Sequence, residues 1–191
     1  MIYEYDKSLV SKFEKVMPGR VIYAPADKFY ERYLLADNND KVKLPALSVW
    51  REQIGIDKTG SLTPLRIQNV RYPDNEKFTA EQIFSIPLSL DYKLEMWTAT
   101  DIDRDDLLKE MLYFLNLYPY LELSYRNHNF TFPVVLGDVT DSSDISSFEN
   151  TGDIYRITVP LQVPDARLLY FSNIDTLKHI DLSFFVNNQK D

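Results

Sequence analysis

The sequence predicts an α+β fold, an antiparallel or mixed β-sheet covered on one face by two to three α-helices. Three observations carry that expectation. Ile86, Leu88, Leu90, Tyr92, Leu94 and Met96 alternate with Ser89, Asp91, Lys93 and Glu95, the period of a strand that buries one face. Apolar residues return at helical spacing in 6–17 and again in 101–118. Strand-like segments outnumber these helices, and their order lacks the strict strand–helix alternation of a doubly wound parallel sheet. At 191 residues the chain suits a single domain, 1–191, with a frayed end at 187–191.

From the N-terminus, Leu9, Val10, Phe13, Val16 and Met17 form one face of a short amphipathic helix, with Asp6 or Ser8 as its cap and Pro18-Gly19 as its stop. Val21–Tyr23 reads as a strand. Pro25 and Asp27 open a second helical stretch that aligns Phe29, Tyr30, Tyr33 and Leu34. Leu44–Trp50, dense in Leu, Val and Trp, reads as the next strand. Across 51–85 the rhythm is broken by Gly55, Gly60, Pro64 and Pro73, which predicts a loop or an extended hairpin arm. A segment this long without regular structure is the leading interaction segment.

After the strand at 86–96, Asp101 or Asp103 caps a helix with an apolar stripe of Leu108, Met111, Leu112, Leu115 and Tyr118, and Pro119 ends it. Tyr120–Arg126 and Phe130–Leu136 flank the polar turn Asn127-His128-Asn129 as a hairpin. Residues 137–152 are a polar loop. Alternation resumes over Asp153–Val163, where Pro160 marks an edge or bulged strand. Residues 167–171 and 180–186 are the last apolar segments.

Composition narrows the function classes. With 45% hydrophobic and 26% charged residues the chain is globular rather than disordered. The net charge of -8 disfavours direct binding to duplex DNA or to an anionic membrane. No apolar run reaches the roughly 18 residues of a membrane span, and the N-terminus lacks a signal pattern, which predicts a soluble, non-secreted protein. The absence of cysteine excludes disulfides, thiol catalysis and cysteine metal sites.

Catalytic motifs are scarce. Gly55–Gly60 resembles a phosphate loop only in its glycine spacing, because Ser61-Leu62 stands where Lys followed by Ser or Thr is needed. GxGxxG, GxSxG and HExxH do not occur. The two histidines, His128 and His179, supply too little for a triad or a histidine metal site. The acidic run Asp101, Asp103, Asp105 and Asp106 reads as helix capping, opposing the positive end of the helix dipole. An alternative assigns Asp101, Asp103 and Asp138 to a metal-dependent phosphoryl or nucleotide enzyme. Asp138, Asp141 and Asp144 around Ser142-Ser143 read as a solvated turn.

Aromatic residues are abundant, at 13 Tyr, 11 Phe and 2 Trp. Alternation places Trp97 on the side opposite Met96, away from the helix-covered core, and Trp50 ends a strand beside Arg51. Exposed aromatics with arginine favour protein contacts. Trp50, Arg51, Arg66, Arg71 and Trp97 are therefore the candidate interface residues. A carbohydrate- or receptor-binding module using Trp97 and exposed tyrosines is a further alternative.

The block Ile86-Pro87-Leu88-Ser89-Leu90-Asp91-Tyr92-Lys93-Leu94-Glu95-Met96-Trp97-Thr98, followed by the acidic helix to Pro119, resembles the tail-terminator and tail-completion (neck) proteins of tailed bacteriophages. Val21–Phe29, Leu44–Arg51 and Arg156–Pro164 are similar in arrangement, so the likeness runs over about residues 20–172 by pattern and order. It implies a non-enzymatic virion protein, assembled in the host cytoplasm, that forms a homo-oligomeric ring, commonly a hexamer. Such a ring closes the end of the tail tube or sheath and meets neck or connector proteins. It implies no catalytic residue, metal or cofactor. The segment 51–85 departs from the pattern.

Overall fold

The first helix, α1, spans Ile2–Glu14, beginning earlier than its apolar spacing indicates. Tyr5, Leu9 and Phe13, one turn apart, are fully buried along one stripe, which is what orients it. Asp6 is consequently not the cap: it lies inside the helix and is itself buried. Val21–Tyr23 forms β1, and Pro25 precedes a short helix α2, Ala26–Phe29, that continues as a π-helical turn over Tyr30–Leu34. Phe29, Tyr30 and Leu34 are buried as the spacing predicts, and the Tyr33 side chain lies outside the described residues.

This computed structural model describes residues 1–34, 42–56, 63–71, 79–125, 128–143 and 154–174. The expectations for Asp144, His179, 180–186 and 187–191 lie outside them. The chain divides into two compact units, one made of Met1–Asp57 with Pro87–Ala166 and the other of Lys58–Ile86 with Arg167–Asp191.

In the first unit the fold is α+β. The sheet is mixed: β1 pairs in parallel with β2, Ala46–Ile56, and β2 pairs antiparallel with β4, Thr79–Thr98, with a bulge between Arg51 and Gln53. Next to β4 runs β9, Tyr155–Ile174, whose far side carries β7, Val135–Leu136, and β8, Thr140–Asp141. β9 is therefore an inner strand, so of the two readings of Pro160, edge or bulged strand, the edge one does not hold. The proline is tolerated because the ladder is broken opposite it. Three residues lie between Leu136 and Thr140 while two lie between their partners Leu161 and Thr158, a bulge in the edge facing Pro160. Gly137 N–H donates to the Pro160 carbonyl at 2.8 Å, and a Cβ on Gly137 would meet Pro160 at 3.0 Å.

The alternation of β4 is observed as predicted. Leu88, Leu90, Tyr92, Leu94 and Met96 are buried on the face that carries α1, where the Tyr92 hydroxyl and Arg51 both reach Asp6. The opposite face is covered too at its end. Trp97 stacks on Phe29 with ring centroids 5.3 Å apart, so α2 and its π-helical turn pack there with Ala24, Ala46 and Leu34.

α3 spans Asp101–Leu117, and its cap is Thr100 rather than an aspartate. The Asp103 N–H donates to Thr100 Oγ1 at 3.1 Å, and the threonine hydroxyl donates back to Asp103 Oδ2 at 2.7 Å. Thr100→Ala should cost about 1 kcal/mol, read as a lower urea midpoint; an unchanged midpoint would show that the cap contributes nothing. The buried stripe of α3 is Leu107, Met111 and Leu115, narrower than the predicted one, and Tyr118 is exposed. A two-stranded hairpin follows, β5 over Tyr120–Tyr125 and β6 over His128–Pro133. His128 belongs to β6 rather than to the turn. The hairpin packs on α1 through Leu121, Leu123 and Phe132, with Tyr5 and Phe132 rings 5.1 Å apart.

In the second unit, β3, Thr63–Arg71, pairs antiparallel with the start of β4, Thr63 opposite Ser85 and Arg71 opposite Thr79. Arg167 donates to the fully buried Ser85 hydroxyl at 3.1 Å.

Candidate interaction surface

The five residues singled out by the sequence do not form one surface. Trp97 is fully buried. Its Nε1 donates to Ser48 Oγ at 3.0 Å, Ser48 donates to Glu95 Oε2 at 3.3 Å, and the Arg156 guanidinium lies 5.5 Å from the indole centroid. Period two correctly put Trp97 opposite Met96, but α2 covers that face, so Trp97 is a core residue. It supplies neither an interface anchor nor a sugar platform. Burial also holds the Glu95 carboxyl above its ordinary range, against the opposing pull of Arg156 and Ser48.

Arg51 is turned inward. Its Nη1 donates to both Asp6 oxygens, at 2.9 and 3.0 Å, while the Tyr92 hydroxyl donates to Oδ1 at 2.9 Å. Trp50 is half-buried on the Ser48 face. Arg66 and Arg71 lie in β3, Arg66 opposite Ile83, and their side chains lie outside the described residues. Asp101 and Asp105 pair with Arg104 at 3.1 Å, and Asp103 serves the Thr100 cap. Asp138 is exposed. Among the described residues no group of three or more His, Asp or Glu is placed to hold a metal ion.

The surface that stands out is at the C-terminal end of α3. Tyr113, Leu117, Tyr118 and Tyr120 are 68, 54, 59 and 57% exposed. Apolar side chains this open and this close together are uncommon on a surface that faces only water. The reason is local: Leu112-Tyr113-Phe114-Leu115-Asn116-Leu117-Tyr118 carries more apolar residues than the single stripe of α3 can bury. That excess is visible in the sequence, but a stripe drawn through Tyr118 conceals it.

Beside this end runs a groove of about 810 Å³. One wall is the α1 face of Glu4, Lys7, Ser8, Ser11 and Lys15; the other is Tyr120, Glu122 and Ser124, alternate residues of β5. Phe114, Leu117 and Tyr118 close one end. Lys12 ties the walls together. Its Nζ donates to the carbonyl of Tyr118 and, at 2.9 Å, to that of Tyr120, and it lies 4.9 Å from the Phe114 ring centroid. Burial, then Lys15 nearby, lowers its pKa, while Glu122 opposes the shift. The groove therefore sets an α1 face carrying Lys7, Lys15 and Glu4 beside one strand of the hairpin.

No protein-family model and no characterised protein matches the chain. Among the described residues no helix is long and apolar enough to cross a membrane.

Proposed function

We propose that this chain is a non-enzymatic virion structural protein that assembles as a ring, of about six subunits, and closes the end of a phage tail tube or sheath at the neck. The observation that carries the reading is the open apolar surface of Tyr113, Leu117, Tyr118 and Tyr120, which a subunit contact would cover. The resemblance of the 86–119 block to tail-terminator and tail-completion proteins supplies the kind of assembly. Closure as a ring presents one face to the last ring of the tube or sheath and another to connector proteins, and stops growth because the outer face does not template a further ring. The net charge of -8 keeps unassembled subunits apart in solution.

Light scattering at two concentrations, followed by negative-stain imaging with isolated tail tubes and sheaths, tests this. A closed ring, formed alone or only on tubes or sheaths, is the expected result. A monomer that ignores both at every concentration would overturn the reading.

A further inference from the structure

The groove offers more than side chains. In β5, Tyr120 stands opposite Pro133, which has no N–H, and the Tyr120 carbonyl is taken by Lys12 from outside the hairpin. Tyr120 is thus in the register whose backbone groups point away from β6. Period two puts Glu122 and Ser124 in the same register. The 2.7 Å side-chain bond between Ser124 and Asn129 fits, because side chains approach most closely in such pairs. No strand pairs with this outer side of β5 among the described residues. The hairpin therefore presents backbone donors and acceptors to a groove that also holds Lys15, together with Glu122 and a Lys7–Glu4 ion pair at 3.4 Å.

A second open edge exists on the same unit. Val135–Ser143 pairs on one side with β9, through β7, β8 and the bond from Ser142 N–H to the Arg156 carbonyl. No strand pairs with its other side among the described residues. Val135 and Val139 are 47 and 40% exposed, and Asp138 and Asp141 are acidic. Asp141 already accepts from Arg104 at 3.3 Å, which leaves Asp138 as the outward carboxylate of this edge.

We propose that the β5 groove receives the Val135–Asp141 edge of a second copy of this chain by strand addition, with Asp138 meeting Lys15 and Val139 meeting the apolar end at Leu117 and Tyr118. Opposite charge and two unpaired strand edges on one molecule argue for a second copy as the occupant. The two patches lie toward opposite ends of the 17-residue α3, which is about 25 Å long, since Arg104 near its start reaches Asp141 and Leu117 at its end lines the groove. A contact between unlike patches is heterologous, so each copy keeps one groove and one edge for the next neighbour until a ring closes. The inference rests on the ring reading and specifies its subunit contact.

The test uses the full chain, alone and with tail tubes and sheaths. Lys15→Glu and Asp138→Lys should each weaken self-association by about tenfold, and combining them in one chain should restore it. Because the chain has no cysteine, the pair Leu117→Cys and Val139→Cys reports the contact directly, as a ladder of disulfide-linked multimers on oxidation. Rings that form normally in both charge-reversed variants, with no ladder, would overturn this contact and leave the ring reading standing. A chain that is monomeric under all these conditions would overturn both.

Discussion

Replacing Trp97 with alanine is expected to cost about 3–5 kcal/mol, enough to remove much of the stability of an ordinary domain. The indole is fully buried, stacks on Phe29 at 5.3 Å, and is the largest of the fully buried side chains. Its loss also strips a donor from Ser48, which bridges to the buried Glu95. Trp97→Phe separates the two effects: it keeps an aromatic ring against Phe29 and loses only the Nε1 bond, so its cost should be nearer 1–3 kcal/mol. Urea unfolding followed by far-UV circular dichroism reads both. A well-folded Trp97→Ala protein with a midpoint near wild type would show that α2 does not seal this face in solution.

The second large effect is expected at Asp6. Removing its carboxylate by Asp6→Ala leaves the Arg51 guanidinium and the Tyr92 hydroxyl without this acceptor. The side chains of Arg51 and Asp6 are 22 and 6% exposed, so solvent replaces the lost bonds poorly. The cost should be about 3–5 kcal/mol at neutral pH. Its pH dependence has a definite sign. Desolvation holds the Asp6 carboxyl above its ordinary 3.8, outweighing Tyr92 and Arg51, so the folded state binds this proton more tightly than the unfolded chain does. The stability contributed by the group is then fully present below pH 3.8 and declines as pH rises through the raised value. The gap between wild type and Asp6→Ala should narrow from pH 4 toward pH 7 in paired urea titrations. A gap that widens over that range would mean that Arg51 outweighs burial. Tyr92, whose hydroxyl is pushed well above its ordinary range by burial and by Asp6, stays protonated throughout and keeps donating.

These two positions also show where reading the chain succeeds and fails. Period-two alternation located β4 and assigned Leu88 through Met96 to one face because a strand's side-chain geometry is local, set by the backbone itself. The same alternation placed Trp97 on the other face correctly and its environment wrongly. What covers a face depends on a segment more than sixty residues earlier, the Phe29 helix, and no local pattern reports that packing. Asp6 failed for a similar reason. A polar residue near a helix start resembles a cap, and only the approach of Arg51 and Tyr92 from two strands makes it a buried acceptor.

The groove was still less legible. Its walls come from α1, the end of α3 and β5, far apart in the chain, and Lys7 and Lys15 look in sequence like any solvated helix face. In sequence the Val135–Asp141 edge is divided between the hairpin strand Phe130–Leu136 and the polar loop of 137–152, and it becomes one edge only through pairing with β9.

By itself, the sequence determined the α+β class, the helices, the buried face of β4 and the scarcity of catalytic side chains, since each follows from short-range periodicity and residue chemistry. The tertiary structure alone decided that Trp97 and Asp6 are interior, that β9 is an inner strand, and that a groove lined by Glu4, Lys7, Lys15 and Glu122 runs beside an open strand edge. Those properties arise from contacts between segments distant in the chain, and burial, which governs both hydrophobic stabilisation and pKa, is a property of the assembled fold.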